Sequence, residues 1–191
     1  MSASNLKKSR EAMVVSQLQP AGIISEAVLE AYRSVAREDF VPEHLRAVCY
    51  LDESLRLDNG QMMLEPRLHG LMVEELDIQP TDRALDVGDM TGYSAAVLAK
   101  LAGTVVPGME TTQGSFDIIL INGAVAEIPE KLINKLDIGG RLACILIPDG
   151  KGVGKVVIAT KEASGTIAKQ VFEDASAAYI PGYEPKTGFV F

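Results

Sequence analysis

Apolar residues repeat along this chain with two different periods, and the change comes near Pro80. In the first third, Leu6, Met13, Val14 and Leu18, then Val28, Leu29 and Tyr32, fall near helical spacing, so residues 5–48 are predicted to be mainly helical. Ser25 stands where an N-cap belongs, just ahead of Val28 and Leu29. Pro42 breaks the run, and a short helix follows it. Residues 50–65 are polar and loop-like, with Asp58-Asn59-Gly60 as a turn signal. Pro66 suits the first turn of a helix running to about Leu76.

Beyond Pro80 the apolar residues come in short continuous runs. "RALDVG" predicts a strand, and "GYSAAVLAKLAG" a helix stopped by Gly103. "TVVPGME" is a possible strand weakened by Pro107. "FDIILING" carries a strong buried-strand signal, "IPEKLINKLD" reads as a helix and "GGRLACILIP" as a strand. "KVVIAT" and "TIAKQVF" suggest a hairpin pair. Helices alternating with continuous apolar strands predict an α/β fold of three layers. It is a doubly wound, mostly parallel sheet with helices on both faces and a helical N-terminal extension. Residues 1–79 form the helical cap and loop region, residues 80–191 the α/β core, together one compact unit.

The 191 residues suffice for one domain with a proper core. A 47% hydrophobic content and a mean hydropathy of +0.14 mark a folded chain. A net charge of −8 argues against general nucleic-acid binding, which needs a basic face. Lys7, Lys8 and Arg10 form the only dense basic cluster and read as a solvated helix end. No apolar run approaches the roughly 18–20 residues needed to span a bilayer, so no direct membrane insertion is expected. No secretory signal is read at the start of the sequence, and Cys49 and Cys144, each among apolar neighbours, suit buried thiols in a reducing cytoplasm. His44 and His69 have no Cys or His partner at metal spacing, so no metal site is expected.

The turn after "ALDV" lies where open α/β sheets bind ligands, at the carboxyl ends of strands. Gly88 and Gly92 would let backbone approach a ligand, and the next helix would offer free amides to a carboxylate or phosphate. Glu110, ending the next strand, would bond ribose hydroxyls. A tight strand-to-helix turn with no ligand fits the pattern as well.

Four ordered pieces carry a resemblance: "VLEAYRSVAREDFVPEHLRAVCYLDESL", "NGQMMLEP", "LDVGDMTGYSAAVLAKLAG" and "FDIILINGAVAEIPEKLINKLDIGGRL". In order and spacing the chain resembles the protein-L-isoaspartate O-methyltransferases, particularly divergent bacterial members, from about Met13 onward. The resemblance implies the fold of S-adenosylmethionine-dependent methyltransferases and methyl transfer to isoaspartyl carboxylates of damaged proteins, by alignment and exclusion of water rather than a metal or strong base. It implies cofactor contacts from Asp86, Gly88, Gly92, Tyr93 and Glu110. It places Gln61, Leu64 and Pro66 in the substrate loop.

Three departures from the family pattern stand out. Asp89, Met90 and Thr91 separate the two glycines where the family has a middle glycine. Met90 would put a long side chain in ligand space and resist positive φ, and Asp89 would repel the cofactor's carboxylate. The family's Thr-Ile-Ser-Gln-Pro becomes Met62, Met63, Leu64, Glu65, Pro66, so Leu64 replaces a hydroxyl residue; Arg67 follows and reads as exposed. Only residues 111–115 separate Glu110 from Phe116, too few for a helical crossover between parallel strands. Either "TVVPGME" is irregular, or a stretched link replaces the crossover, or a segment of the natural chain is absent from this sequence. Two readings follow: a methyltransferase acting on protein carboxylates, or a catalytically silent accessory subunit of a larger protein assembly. A changed small-molecule ligand is a third.

Overall fold

The computed structural model describes residues 3–58, 60–109, 112–148 and 153–186. Helix α1 (Ala3–Met13) runs into a wider turn over Val14–Leu18 and a tight one over Gln19–Ala21, where Pro20 supplies no amide. Gly22 ends it with φ +92. Helix α2 (Glu26–Ser34) starts where the Ser25 hydroxyl accepts the Val28 amide at 3.4 Å, the expected cap. Residues 50–65 are not wholly loop: β1 (Leu55–Arg56) and β2 (Met62–Met63) pair antiparallel, and Leu57 N donates to Gln61 O beyond them. Helix α3 (Pro66–Glu75) begins on its proline, and Glu74 accepts the Ile24 and Ser25 amides, tying α3 to the start of α2.

The core sheet has six strands in the order β4-β3-β5-β6-β7-β8. Strands β3 (Arg83–Val87), β4 (Thr104–Gly108), β5 (Phe116–Val125) and β6 (Leu136–Leu146) run parallel. Strands β7 (Gly154–Lys161) and β8 (Ile167–Ala175) form the antiparallel hairpin expected from "KVVIAT" and "TIAKQVF". One face packs on α1–α3 and on α4 (Tyr93–Leu98) through Leu68, Met72, Val97, Leu98, Ile118 and Leu120. The other face, with Leu85, Ile119, Ile121 and Leu142, has little helix over it. Helix α5 is only Glu130–Ile133, because Leu136 already enters β6 where a longer helix was expected.

Strand β4 is regular despite Pro107, because it lies at the sheet edge, where a missing amide costs no ladder bond on the open side. Both β4 and β5 are parallel to β3, with only seven residues of sequence, 109–115, between them. Of the alternatives for this link, an irregular strand does not hold over Thr104–Gly108, which pairs residue by residue with β3. The Thr112 hydroxyl accepts the Met109 amide at 3.1 Å and sits so close to Gly108 that a Cβ there would lie 2.1 Å from it. Arg83 donates to Ser115 O at 2.9 Å and stacks on Phe116 at 4.5 Å. Lys135 Nζ bonds Thr112 O at 2.6 Å. No helix among the described residues is long and apolar enough to cross a membrane.

Candidate functional site

The carboxyl end of β3 carries the glycine turn. Gly88 and Gly92 both hold positive φ, +87 and +82, which explains glycine at each. The space beside Gly88 is taken by the chain itself: a Cβ there would meet Ile180 Cδ1 at 2.4 Å, and one on Gly123 would meet it at 2.7 Å. The C-terminal segment lies over the turn because Ala124 N donates to Ala178 O and Ile180 N to Ala124 O.

Asp89 closes the turn from within. Its Oδ1 accepts the Thr91 amide at 2.8 Å and the Thr91 hydroxyl at 2.6 Å, and its Oδ2 accepts the Ser94 amide at 2.7 Å. Thr91 Oγ1 accepts the Tyr93 amide at 3.1 Å. The Tyr93 and Ser94 amides at the start of α4, expected to be free, are therefore engaged by the chain's own side chains. Met90 does not sit at positive φ and its side chain is 69% exposed, so the strain expected of it is absent. It borders a solvent-open cavity of ≈ 460 Å³ lined by Gly88–Gly92 and Pro107–Met109.

Asp86 is buried beneath the turn. Its Oδ1 accepts Ser94 Oγ at 2.6 Å and Asn122 Nδ2 at 2.7 Å. Burial first, then the Asp89 charge, pushes its carboxyl up to about 7, against the pull of the Ser94 and Asn122 bonds. Glu110, expected at the ribose, lies outside the described residues.

The 61–66 segment forms a second wall. Gln61 and Met62 line a groove of ≈ 200 Å³ with Gly88, Asn122, Tyr179, Ile180 and Pro181. Leu64 is buried, and its carbonyl accepts Arg37 Nη2 at 2.6 Å; Pro66 is buried at the start of α3. Arg67 is engaged rather than free: it pairs with Glu173, lies 3.6 Å from Asp52 and 3.5 Å from Glu65.

Sequence reasoning missed the cluster behind that wall. Arg37 is fully buried; its Nε donates to Cys49 O at 2.7 Å, and its guanidinium lies 4.8 Å from the Tyr93 ring centre. Tyr93, expected at the cofactor, instead turns its ring inward against Tyr32, Phe40 and His69. Tyr32 OH lies 2.5 Å from His69 Nδ1. Burial, with Arg37 nearby, lowers His69 to about 4, and burial raises Tyr93 to about 12. His69 shares the Met72–Val73 face of α3, a signal available in the sequence; Arg37, beside Glu38 and Asp39, reads as surface and gave none. Among the described residues no three His, Cys, Asp or Glu side chains could hold a metal ion together.

Residues 8–114 and 106–185 match the model of the protein-L-isoaspartate(D-aspartate) O-methyltransferase family, in two pieces that meet at the 109–115 link. A protein-L-isoaspartate O-methyltransferase of Methanoculleus marisnigri is 34% identical over 179 positions, covering 78% of this chain and 81% of the relative. A second, from Anaeromyxobacter, is 34% identical over 193 positions, covering 85% and 79%. Each alignment leaves roughly 30 positions of the relative facing no residue of this 191-residue chain, the length of an ordinary helix, a strand and their loops. A Plasmodium falciparum structure, described as a protein-L-isoaspartate O-methyltransferase in complex with S-adenosyl-L-homocysteine, superposes with TM-score 0.76 at 19% identity, covering 90% of this chain and 97% of that one. Another structure described as a protein-L-isoaspartate O-methyltransferase gives 0.71 at 20% identity, with 91% and 67% covered. The fold is thereby that of these enzymes.

Proposed function

The chain belongs to the protein-L-isoaspartate(D-aspartate) O-methyltransferase family, and we propose that it is a member that has kept the fold, lost its grip on S-adenosylmethionine, and serves as an accessory subunit of a protein assembly. One observation carries this reading: the Asp89 carboxylate occupies the Thr91 and Ser94 amides. S-adenosylmethionine ends in an amino-acid carboxylate, and a helix N-terminus is the natural receptor for such a group. Here that receptor already holds an anion of the chain's own. A second carboxylate would have to displace Asp89 or lie against it, and the residues present do not fit the group.

Two further features support it. The Met62–Pro66 segment offers no hydroxyl side chain to a substrate, and Leu64 is spent on the core. Strand β4 is the sheet edge, so the cavity beside Met109 has no further strand behind it. We place the chain in the cytoplasm, where the buried thiols of Cys49 and Cys144 stay reduced.

Methyl transfer to isoaspartyl carboxylates is the second reading. It is favoured by the ≈ 460 Å³ cavity at the carboxyl ends of β3 and β4, where open α/β sheets hold ligands. Calorimetric titration of the full chain with S-adenosylhomocysteine separates the two, run alongside methyl labelling of an isoaspartyl peptide. The silent reading expects no heat at millimolar ligand and no label. Incorporation of label above a no-protein control would overturn it in favour of the second.

A further inference from the structure

The ≈ 460 Å³ cavity at the sheet edge offers an occupant apolar surface rather than charge. Gly88, Gly92, Gly108 and Pro107 present backbone to it, and Met90 and Met109 present thioethers. Asp89 and Thr91, its two polar side chains, bond each other and the Thr91, Tyr93 and Ser94 amides. Met90 is 69% and Met109 37% exposed, so two large apolar side chains that the fold leaves in water meet at one cavity. Its size falls within the roughly 300–1,000 Å³ of sites that hold a drug-sized group. Unbranched thioethers adapt their shape and favour contact with aromatic rings.

The sequence carries such rings close by. Thr187, Gly188, Phe189, Val190 and Phe191 follow Lys186 and lie outside the described residues. None of the five side chains is charged. Phe189 and Phe191 are two apart, so an extended chain puts both rings on one face. The chain before them already borders the cavity, because Ile180 packs on Gly88. Gly182, at φ +90, then turns the chain, with Tyr183 N donating to Ile180 O and Ala126 N to Tyr183 O. Lys186 comes next, its Nζ 3.3 Å from Glu127 just past the end of β5. Strand β4 lies two strand spacings from β5, roughly 10 Å across the sheet. Five extended residues span about 17 Å, enough to bring both rings from Lys186 to the cavity.

We propose that residues 187–191 fold back over the glycine turn of their own chain and seat Phe189 and Phe191 in this cavity, against Met90 and Met109. Two rings and two thioethers leave water together, and no charge is desolvated without a partner. The seat needs no movement of Asp89 and no cofactor. It therefore stands whether or not the turn has lost S-adenosylmethionine.

Full-length protein with ¹³C-labelled methionine methyls tests the seat by NMR. The Met90 and Met109 signals are assigned from Met90→Leu and Met109→Leu. Ring currents should displace both methyls, and cross-relaxation should link them to phenyl protons. In the double variant Phe189→Ala with Phe191→Ala, both signals should move toward the position of methionine in water. The signals of Met13 and Met72, which lie in the core, should stay where they are and show that the variant is folded. Met90 and Met109 signals that are the same in wild type and the double variant overturn the proposal. Phenyl cross-relaxation to methyls elsewhere in the fold, with none to Met90 or Met109, overturns it as well. So does a displacement that fades on dilution, which would put the rings of a second copy in the cavity.

Discussion

Two regions share the first turn of α4 and differ in how their polar atoms are served. At the glycine turn, the amides of Thr91, Tyr93 and Ser94 are taken by Asp89 and Thr91. Behind the Met62–Leu64 wall, Arg37, His69 and Tyr93 each keep a polar atom unpaired. In the first region the Asp89 carboxylate is matched by the chain's own amides, and Asp86 Oδ2 beneath it is left bare. The second is incomplete as folded. A satisfied network rigidifies a fold, whereas an unsatisfied buried one is a standing cost that a bound group removes. Among the described residues the turn leaves Asp86 Oδ2 bare, and the pocket behind it leaves three such atoms.

The hardest blow to that contrast is Arg37→Met. It keeps the side-chain volume but removes the donors to the Cys49 and Leu64 carbonyls, which tie the Leu64 segment to Cys49. Two buried acceptors left bare, partly offset by relief of a buried charge, should cost about 2–5 kcal/mol in denaturant melts. A loss confined to a few tenths would mean the pocket wall is held elsewhere.

Acid titration sharpens the contrast, because the two regions bring opposite signs. His69 titrates near 4 when folded against an ordinary 6.5. Between those values the unfolded chain binds the extra proton, so stability falls as pH falls. Asp86 titrates near 7 when folded against 3.8. Between those values the folded chain holds the extra proton, so stability is fully present below 3.8 and falls as pH rises toward 7. From about pH 4 to 6.5 the slopes oppose each other. Relative to wild type, His69→Phe should make stability decline more with rising pH, and Asp86→Asn should make it rise more, each by on the order of 3 kcal/mol across its window. Melts at half-unit pH intervals read both; parallel curves for all three proteins would refute the assignment.

Why the sequence discloses one region and not the other is a matter of contact distance. The strands are legible because "RALDV" and "FDIILI" are continuous apolar runs, and buried parallel strands need no alternation. Gly88 and Gly92 are legible because positive φ selects glycine. Asp89 is half legible: Asp89, Thr91 and Ser94 have a capping pattern, yet whether the carboxylate faces the amides or a ligand depends on the turn's conformation. Arg37 is illegible, since its partners Cys49 and Leu64 lie far along the chain and nothing local marks it as buried. The length of α5 also escaped, because "LINKL" has helical spacing and only pairing with β5 recruits Leu136 to the sheet.

Asp89→Ala tests the turn directly. Removing the carboxylate frees the Thr91 and Ser94 amides and should lower stability by about 1–2 kcal/mol, the usual loss for an N-terminal cap. If the self-held anion is what excludes the cofactor, S-adenosylhomocysteine should now give measurable calorimetric heat at millimolar concentration. A destabilised variant that still gives no heat would move the cause to the open sheet edge at β4.

The smallest effect belongs to the residue that looks most disruptive on paper. The resemblance implies a glycine at the position of Met90, and restoring it suggests itself as the cure. In the folded chain Met90 has an ordinary φ and a side chain 69% exposed, so it neither strains the turn nor fills it. Met90→Gly should change stability by less than about 1 kcal/mol, the flexibility cost of a glycine, and leave S-adenosylhomocysteine binding as absent as before. Adding Met90→Gly to Asp89→Ala should bring no more than the Asp89 change alone, since the methionine blocks no amide. A gain in affinity from Met90→Gly by itself would show that its flexible side chain reaches back over the turn, and the glycine turn would then be closed by a movable side chain rather than by its own hydrogen bonds.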